Sequence, residues 1–219
     1  MKEVVLDTET TGLSVKDGHR IVEIGCIELE DLIPTKNKFH CYLNPERKVS
    51  EKALEVHGYN DEFLSKQKKF SEVGEEFLQF IKDKKLIIHN AEFDLSHLNN
   101  ELNLFGKKKI ENEIVDTVIL ARDKFPGAPA SLDALCKRFR IDNSKRTQHT
   151  ALIDCDLLAK VYINLIDQKE PKLNFQISDK EKSVAAEYIK YYKKIVKPTL
   201  EETKNHKEYL KSHLKKNYF

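Results

Sequence analysis

The chain has 219 residues, 40% hydrophobic and 34% charged, with a net charge of +2, enough for one sizeable core with some length to spare. No apolar run is long enough to span a bilayer, MKEVVLDTE lacks a signal-peptide core, and Cys26, Cys41, Cys136 and Cys155 form no CxxC pair. These features exclude a membrane span, a zinc ribbon and a disulfide framework, and predict a cytoplasmic protein with buried free thiols.

The first third reads as a meander of three strands, VVLDTE, RIVEIGCIELE and KFHCYLNP. Two short helices are expected at Ser50–Val56 and Asp61–Lys66. Ser71 can cap a longer one, SEVGEEFLQFIKD, whose Val73, Phe77, Phe80 and Ile81 share a face. KLIIHN is a fully buried type of strand, and AEFDLSHLNNELNLFG a helix closed by Gly106. A short fifth strand, EIV, leads into the helical DTVILARDKF. A loop at Pro126–Pro129 precedes SLDALCKRF, which Ser131 can cap. The long helix HTALIDCDLLAKVYINLIDQ offers Ala151, Leu158, Val161, Tyr162 and Leu165 for packing. Strands followed by alternating helix and strand predict an α/β fold with a mixed sheet covered on both faces. The pattern breaks at KEPK. A linker is expected at 168–178, then two polar helices separated by Lys197-Pro198. Residues 179–219 carry +5 and the rest −3, so the front of the chain is not the basic face of an ordinary nucleic-acid binder.

Five side chains carry the chemistry. Asp7 and Glu9, two apart on a continuously apolar strand, point the same way, and Thr-Thr-Gly follows as a turn where backbone amides can approach a ligand. Asp94 lies in the first turn of its helix, where acids commonly complement the dipole. His149 and Asp154 converge only if His149 belongs to the loop or first turn before the helix. Asp156 is a competing acid, but lies about 200° from Asp154 on a helix of 3.6 residues per turn and faces solvent. Four carboxylates in apolar elements call for cations. A pair of divalent metal ions is the obvious choice, and implies an enzyme that cuts phosphodiester bonds.

The segments DTETTGL, HNAEFD and HTALID, in that order, resemble the three motifs of the DEDDh family of 3′–5′ exonucleases, which have a ribonuclease H-like fold with a five-stranded sheet. VHG, DEF, FPG, SLDALCKRF and IDNSKRTQH extend the resemblance, over about residues 3–167, to the epsilon proofreading group of bacterial DNA polymerase III. The resemblance implies that Asp7, Glu9, Asp94 and Asp154 hold two Mg²⁺ or Mn²⁺ ions and that His149 is the general base for a water nucleophile. An imidazole, which titrates near neutral pH, suits that task. It further implies contacts from Thr10, Leu13, His57 and Asn90 to the terminal nucleotide, and support from Asp116 behind the site. Lys52 stands five residues before His57, where this group often has Glu, and no role carries over to it.

The resemblance divides the chain into an exonuclease domain (1–167), a linker (168–178) and a helical tail (179–219). LEETKNHKEYL and the terminal Phe219 resemble polymerase-binding tails, which implies docking to the catalytic alpha subunit of a bacterial cytoplasmic polymerase. A flexible linker would raise the nuclease's effective concentration beside that partner. EPKLNF (170–175) is similar to a sliding-clamp motif, with Leu173 and Phe175 as anchors and Glu170 where Gln is usual. The expected substrate is a single-stranded or frayed DNA 3′ end. A stand-alone exoribonuclease and a non-catalytic scaffold are the competing readings.

Overall fold

The computed structural model describes residues 2–144, 146, 148–166 and 197–213. The expected linker, the clamp-like segment and the first tail helix lie outside these residues. The chain divides into two units, Met1–Leu173 and Asn174–Phe219.

The first unit is built on a five-stranded sheet in the order β3-β2-β1-β4-β5. Strands β1 (Lys2–Thr10), β2 (Ile21–Glu30) and β3 (Ile33–Tyr42) pair antiparallel, whereas β4 (Lys85–Ile88) and β5 (Ile114–Asp116) run parallel to β1. The mixed sheet is therefore the one expected. β3 begins earlier than KFHCYLNP suggests. Its polar start, with Pro34 opposite Leu29, is recruited by pairing with β2 at a sheet edge, where proline is tolerated.

Side-chain alternation along β1 sorts the core. Val4 and Leu6 pack with Phe77, Leu98 and Leu102 beneath α3 (Phe70–Ile81) and α4 (Ala91–Leu104). Val5 faces the other layer, built by α5 (Thr117–Lys124), α6 (Leu132–Phe139) and α7 (Ala151–Leu165). Each such fully buried side chain contributes about 1.5–3 kcal/mol. Asp7 and Glu9 continue the parity of Val5, so the sheet aims them at the α7 side.

Local chemistry sets the helix ends. Ser50 caps α1 (Glu51–His57), Asn60 caps α2 (Asp61–Ser65), Ser131 caps α6 and Thr150 caps α7, each accepting an N–H in the first turn. Ser71 does not cap α3. The helix starts one residue earlier, and Glu72 reaches back to accept the Lys69 N–H at 2.7 Å. Three of the four free cysteines are buried; Cys41 is only partly so.

One close approach positions α7. A Cβ on Gly25, opposite Asp7 in the ladder, would lie 2.6 Å from the Ala151 backbone carbon. Only glycine lets the start of α7 settle on β2. Beside it, the buried Glu23 carboxylate accepts the Ala151 N–H at 3.0 Å.

In the second unit, α8 (Leu200–His213) begins where the second tail helix is expected. Thr199 and Glu202 exchange hydrogen bonds at its N-terminus.

Gly25→Ala is expected to lower stability by about 1–3 kcal/mol, the cost of overpacking a site walled by backbone. Urea denaturation measures it, and a change under about 0.5 kcal/mol would show that α7 is not seated by this contact.

Candidate active site

The parallel β1–β4 ladder ends at Val5 and Ile87, so β1 runs on beyond its neighbour. The Thr8 N–H and hydroxyl both donate to Asp94 Oδ1, at 3.0 and 2.7 Å. This brings Asp94, from the α4 side, to the strand that carries Asp7 and Glu9. The start of α4 is fixed in turn by Asp116, which accepts the N–H groups of Asn90 (3.2 Å) and Ala91 (2.9 Å). Asn90 adopts a left-handed conformation (φ 68°) and makes no side-chain cap. Its geometry turns the chain from β4 into α4.

From the opposite layer, α7 delivers Asp154. His149 lies in the segment just before the helix, as convergence requires. Its Nδ1 is 3.3 Å from Asp154 Oδ2, and its backbone N–H donates to Val56 O at the end of α1. Oxygen or nitrogen atoms of Glu9, His149 and Asp154 all lie within 4.8 Å of one another. Asp94 and Asp154 are each 3% exposed, and Asp7 and Glu9 open partly towards solvent. Asp156 faces water and pairs with Lys160.

Mutual repulsion is the main electrostatic fact of the site. Burial, then the charges of Asp94, Glu9 and Asp154, push Asp7 well above the usual carboxylate range. Burial and the neighbouring Asp154, Glu23 and Asp94 raise Glu9 to about 8. Burial raises Asp94 to about 7 against the opposing bonds from Thr8. A cluster of hard oxygen donors that repel one another as anions fits divalent cations.

Beside the carboxyls lies a cleft of about 600 Å³, within the range of small-ligand sites. Glu9, Thr10, Leu13, Val56, His57 and Phe93 line it, with Lys52 at its wall. Leu13 is 82% exposed. The Thr10 hydroxyl donates to Gly12 O, shaping the turn. Both nitrogens of the buried His57 are spent on protein. Nδ1 accepts the Tyr59 N–H at 3.0 Å, which leaves Nε2 to donate to Thr10 O at 3.3 Å. The ring stacks on Tyr59, and burial lowers its pKa. The cleft thus gathers Thr10, Leu13 and His57, and Asn90 stands outside its lining.

Two residues missed in the sequence complete the site. Glu23, opposite Glu9 in the ladder, accepts from Ala151 N and the Tyr59 hydroxyl and contacts His40 Nε2. An isolated acid inside the apolar IVEIGC was its available signal. The second, Arg146, grips Asp154 with Nε and Nη2 at 2.6 and 2.7 Å. Lying in a polar loop, it had no distinguishing signal.

The exonuclease (RNase T) family model matches residues 4–162. The chain belongs to the exonuclease family. This exonuclease is 44% identical to the DNA polymerase III subunit epsilon of Rickettsia felis over 98% of each chain. It is 45% identical to the subunit of that name from Escherichia coli, over 74% of this chain and 70% of the other. Among solved structures, exonuclease X bound to 5′-overhanging duplex DNA aligns with a TM-score of 0.61 at 24% identity, covering 76% of this chain and 92% of that one. The nuclease domain of the DEDDh member 3′hExo aligns at 0.64 and 17%, covering 77% and 92%. These structural likenesses place the fold as ribonuclease H-like. The chain is a divalent-metal-dependent 3′–5′ exonuclease.

The raised Glu9 pKa sets a pH dependence for the metal-free chain. The folded state holds this proton more tightly than the unfolded state. The associated stability is therefore full below about 4.5 and is lost as pH rises through about 8. In thermal melts with EDTA, Glu9→Gln is expected to gain Tm relative to wild type between pH 5 and pH 8. A wild-type chain that gains on the variant over that interval would contradict the assignment.

Proposed function

We propose that this exonuclease removes nucleoside monophosphates from DNA 3′ ends as the proofreading subunit of a bacterial, cytoplasmic DNA polymerase III. The observation that carries the reading is convergence. Carboxyls from β1 and α7 meet beside one imidazole at the edge of a nucleotide-sized cleft, and Thr8 holds Asp94 of α4 to the same strand. A near-full-length relative and a second one matched over 70% of its length, both named as epsilon subunits, support the cellular role.

Asp7, Glu9, Asp94 and Asp154 would hold two Mg²⁺ or Mn²⁺ ions. Bound there, such ions would lower the pKa of a water and neutralise charge on the leaving 3′ oxygen. The residues of the chain supply the rest. His149, beside Asp154, accepts the proton of the attacking water. Thr10, Leu13 and the His57 ring shape the wall on which the terminal nucleotide rests, with His57 acting through Thr10 as well as by contact. Asn90 and Asp116 fix the start of α4 and so the position of Asp94.

We further assign 1–167 as the nuclease domain, 168–178 as linker and 179–219 as the segment that docks on the polymerase alpha subunit, with 170–175 as a candidate sliding-clamp contact. The exposure of Leu200 (93%) and Tyr209 (58%) on α8 supports a docking role.

Asp154→Asn is expected to cut nucleotide release from a 3′-labelled single strand by at least roughly 10³-fold, because the group acts as part of a unit. Circular dichroism should report a folded protein. Full Mg²⁺-dependent activity in this variant would end the metal-centre reading.

Deleting 179–219 is expected to leave cleavage of short single strands unchanged while abolishing co-elution with the alpha subunit on a sizing column. Co-elution of the truncated chain would place the docking surface elsewhere.

A further inference from the structure

Arg146 has no part in the chemistry above, yet its guanidinium is bonded on every side. Nε and Nη2 take both oxygens of Asp154, Nη2 also donates to His149 Nδ1 at 2.8 Å, and Nη1 reaches Asp133 Oδ2 at 2.8 Å. The side chain is 8% exposed.

These contacts have two consequences. A divalent cation and this guanidinium need the same Asp154 oxygens, so they compete for one carboxylate. A guanidinium donates only, so His149 Nδ1 must offer it a lone pair. The neutral ring then carries its proton on Nε2, and neither nitrogen can accept another while the contact lasts. One side chain occupies a metal ligand and the proton acceptor together.

Asp133 makes the arrangement exchangeable. It opens α6, is half exposed and is already in contact with the guanidinium, and Asn143 Nδ2 donates to it at 2.9 Å. Arg146 can leave Asp154 without losing a carboxylate partner. We propose that Arg146 is a displaceable counter-ion: it neutralises Asp154 until a divalent cation takes those oxygens, then rests on Asp133, releasing His149 in the same movement. The proposal builds on the metal-centre reading and adds an order of events to it. A bare Asp154 beside Asp7 and Glu9 would be costly, and so would a guanidinium held against bound cations.

The test is calorimetric titration of Mn²⁺ alone into the full-length metal-free chain. Arg146→Gln is expected to bind Mn²⁺ roughly ten-fold more tightly, the effect of removing one strong charge-assisted competitor. Asp133→Asn, which strips Arg146 of its alternative partner, should bind roughly three-fold more weakly. That loss should vanish in the Arg146→Gln/Asp133→Asn double variant, as a coupled pair requires. Arg146→Lys, which keeps the charge but loses the fork, should show an intermediate gain and keeps the test open if Arg146→Gln fails to fold. Unchanged or weaker binding by Arg146→Gln, or an Asp133→Asn effect that persists in the double variant, overturns the proposal alone. A wild-type chain that takes up no Mn²⁺ removes the metal centre beneath it.

Discussion

Four carboxyls that repel one another at one end of β1 set the terms for everything around them. No ordinary core tolerates that density of like charge. The structure answers it locally, in three ways. Protons stay on Glu9 and Asp94 into the neutral range. Thr8 spends a backbone N–H and a hydroxyl on Asp94. Arg146 covers Asp154 with a two-pronged ion pair. Each device is suited to yield when a stronger positive charge arrives, which is what a metal-dependent nuclease needs of its resting state.

Repulsion explains the site's tuning, and packing explains why the site exists. α7 could not bring Asp154 to β1 without the missing side chain at Gly25 and the anchoring carboxylate of Glu23. Glu23 also takes the hydroxyl of Tyr59, whose ring stacks on His57 in the cleft wall. A single buried acid therefore joins the helix that carries Asp154 to the wall of the cleft. The cleft and the carboxylate cluster share a foundation.

Much of this was legible in the chain itself. Period-two alternation carried β2, and the runs of apolar residues in VVLDTE and KLIIHN carried β1 and β4, because burial is written directly into composition there. Caps at Ser131 and Gly106 were legible because their chemistry is local. The start of α3 was not, since the Glu72 carboxylate competes successfully with a nearby serine for the capping role. Nor was the start of β3, where pairing with β2 overrides a polar sequence. Among candidate site residues, Asp7 and Glu9 stood out by their apolar strand, whereas Asp94, His149 and Asp154 were legible chiefly through the three motifs taken together. Arg146 sits in a charged loop, where it is indistinguishable from a solvated surface residue until the fold brings it to Asp154.

The hydrogen bond from the His149 amide to Val56 O has a consequence of its own. Val56 belongs to α1 and lines the cleft, while His149 stands among the carboxyls. Backbone links backbone here, with no flexible side chain between, so the bond acts as a stiff strut. Any outward movement of α1 at the cleft wall is therefore carried to the imidazole that stands beside Glu9 and Asp154.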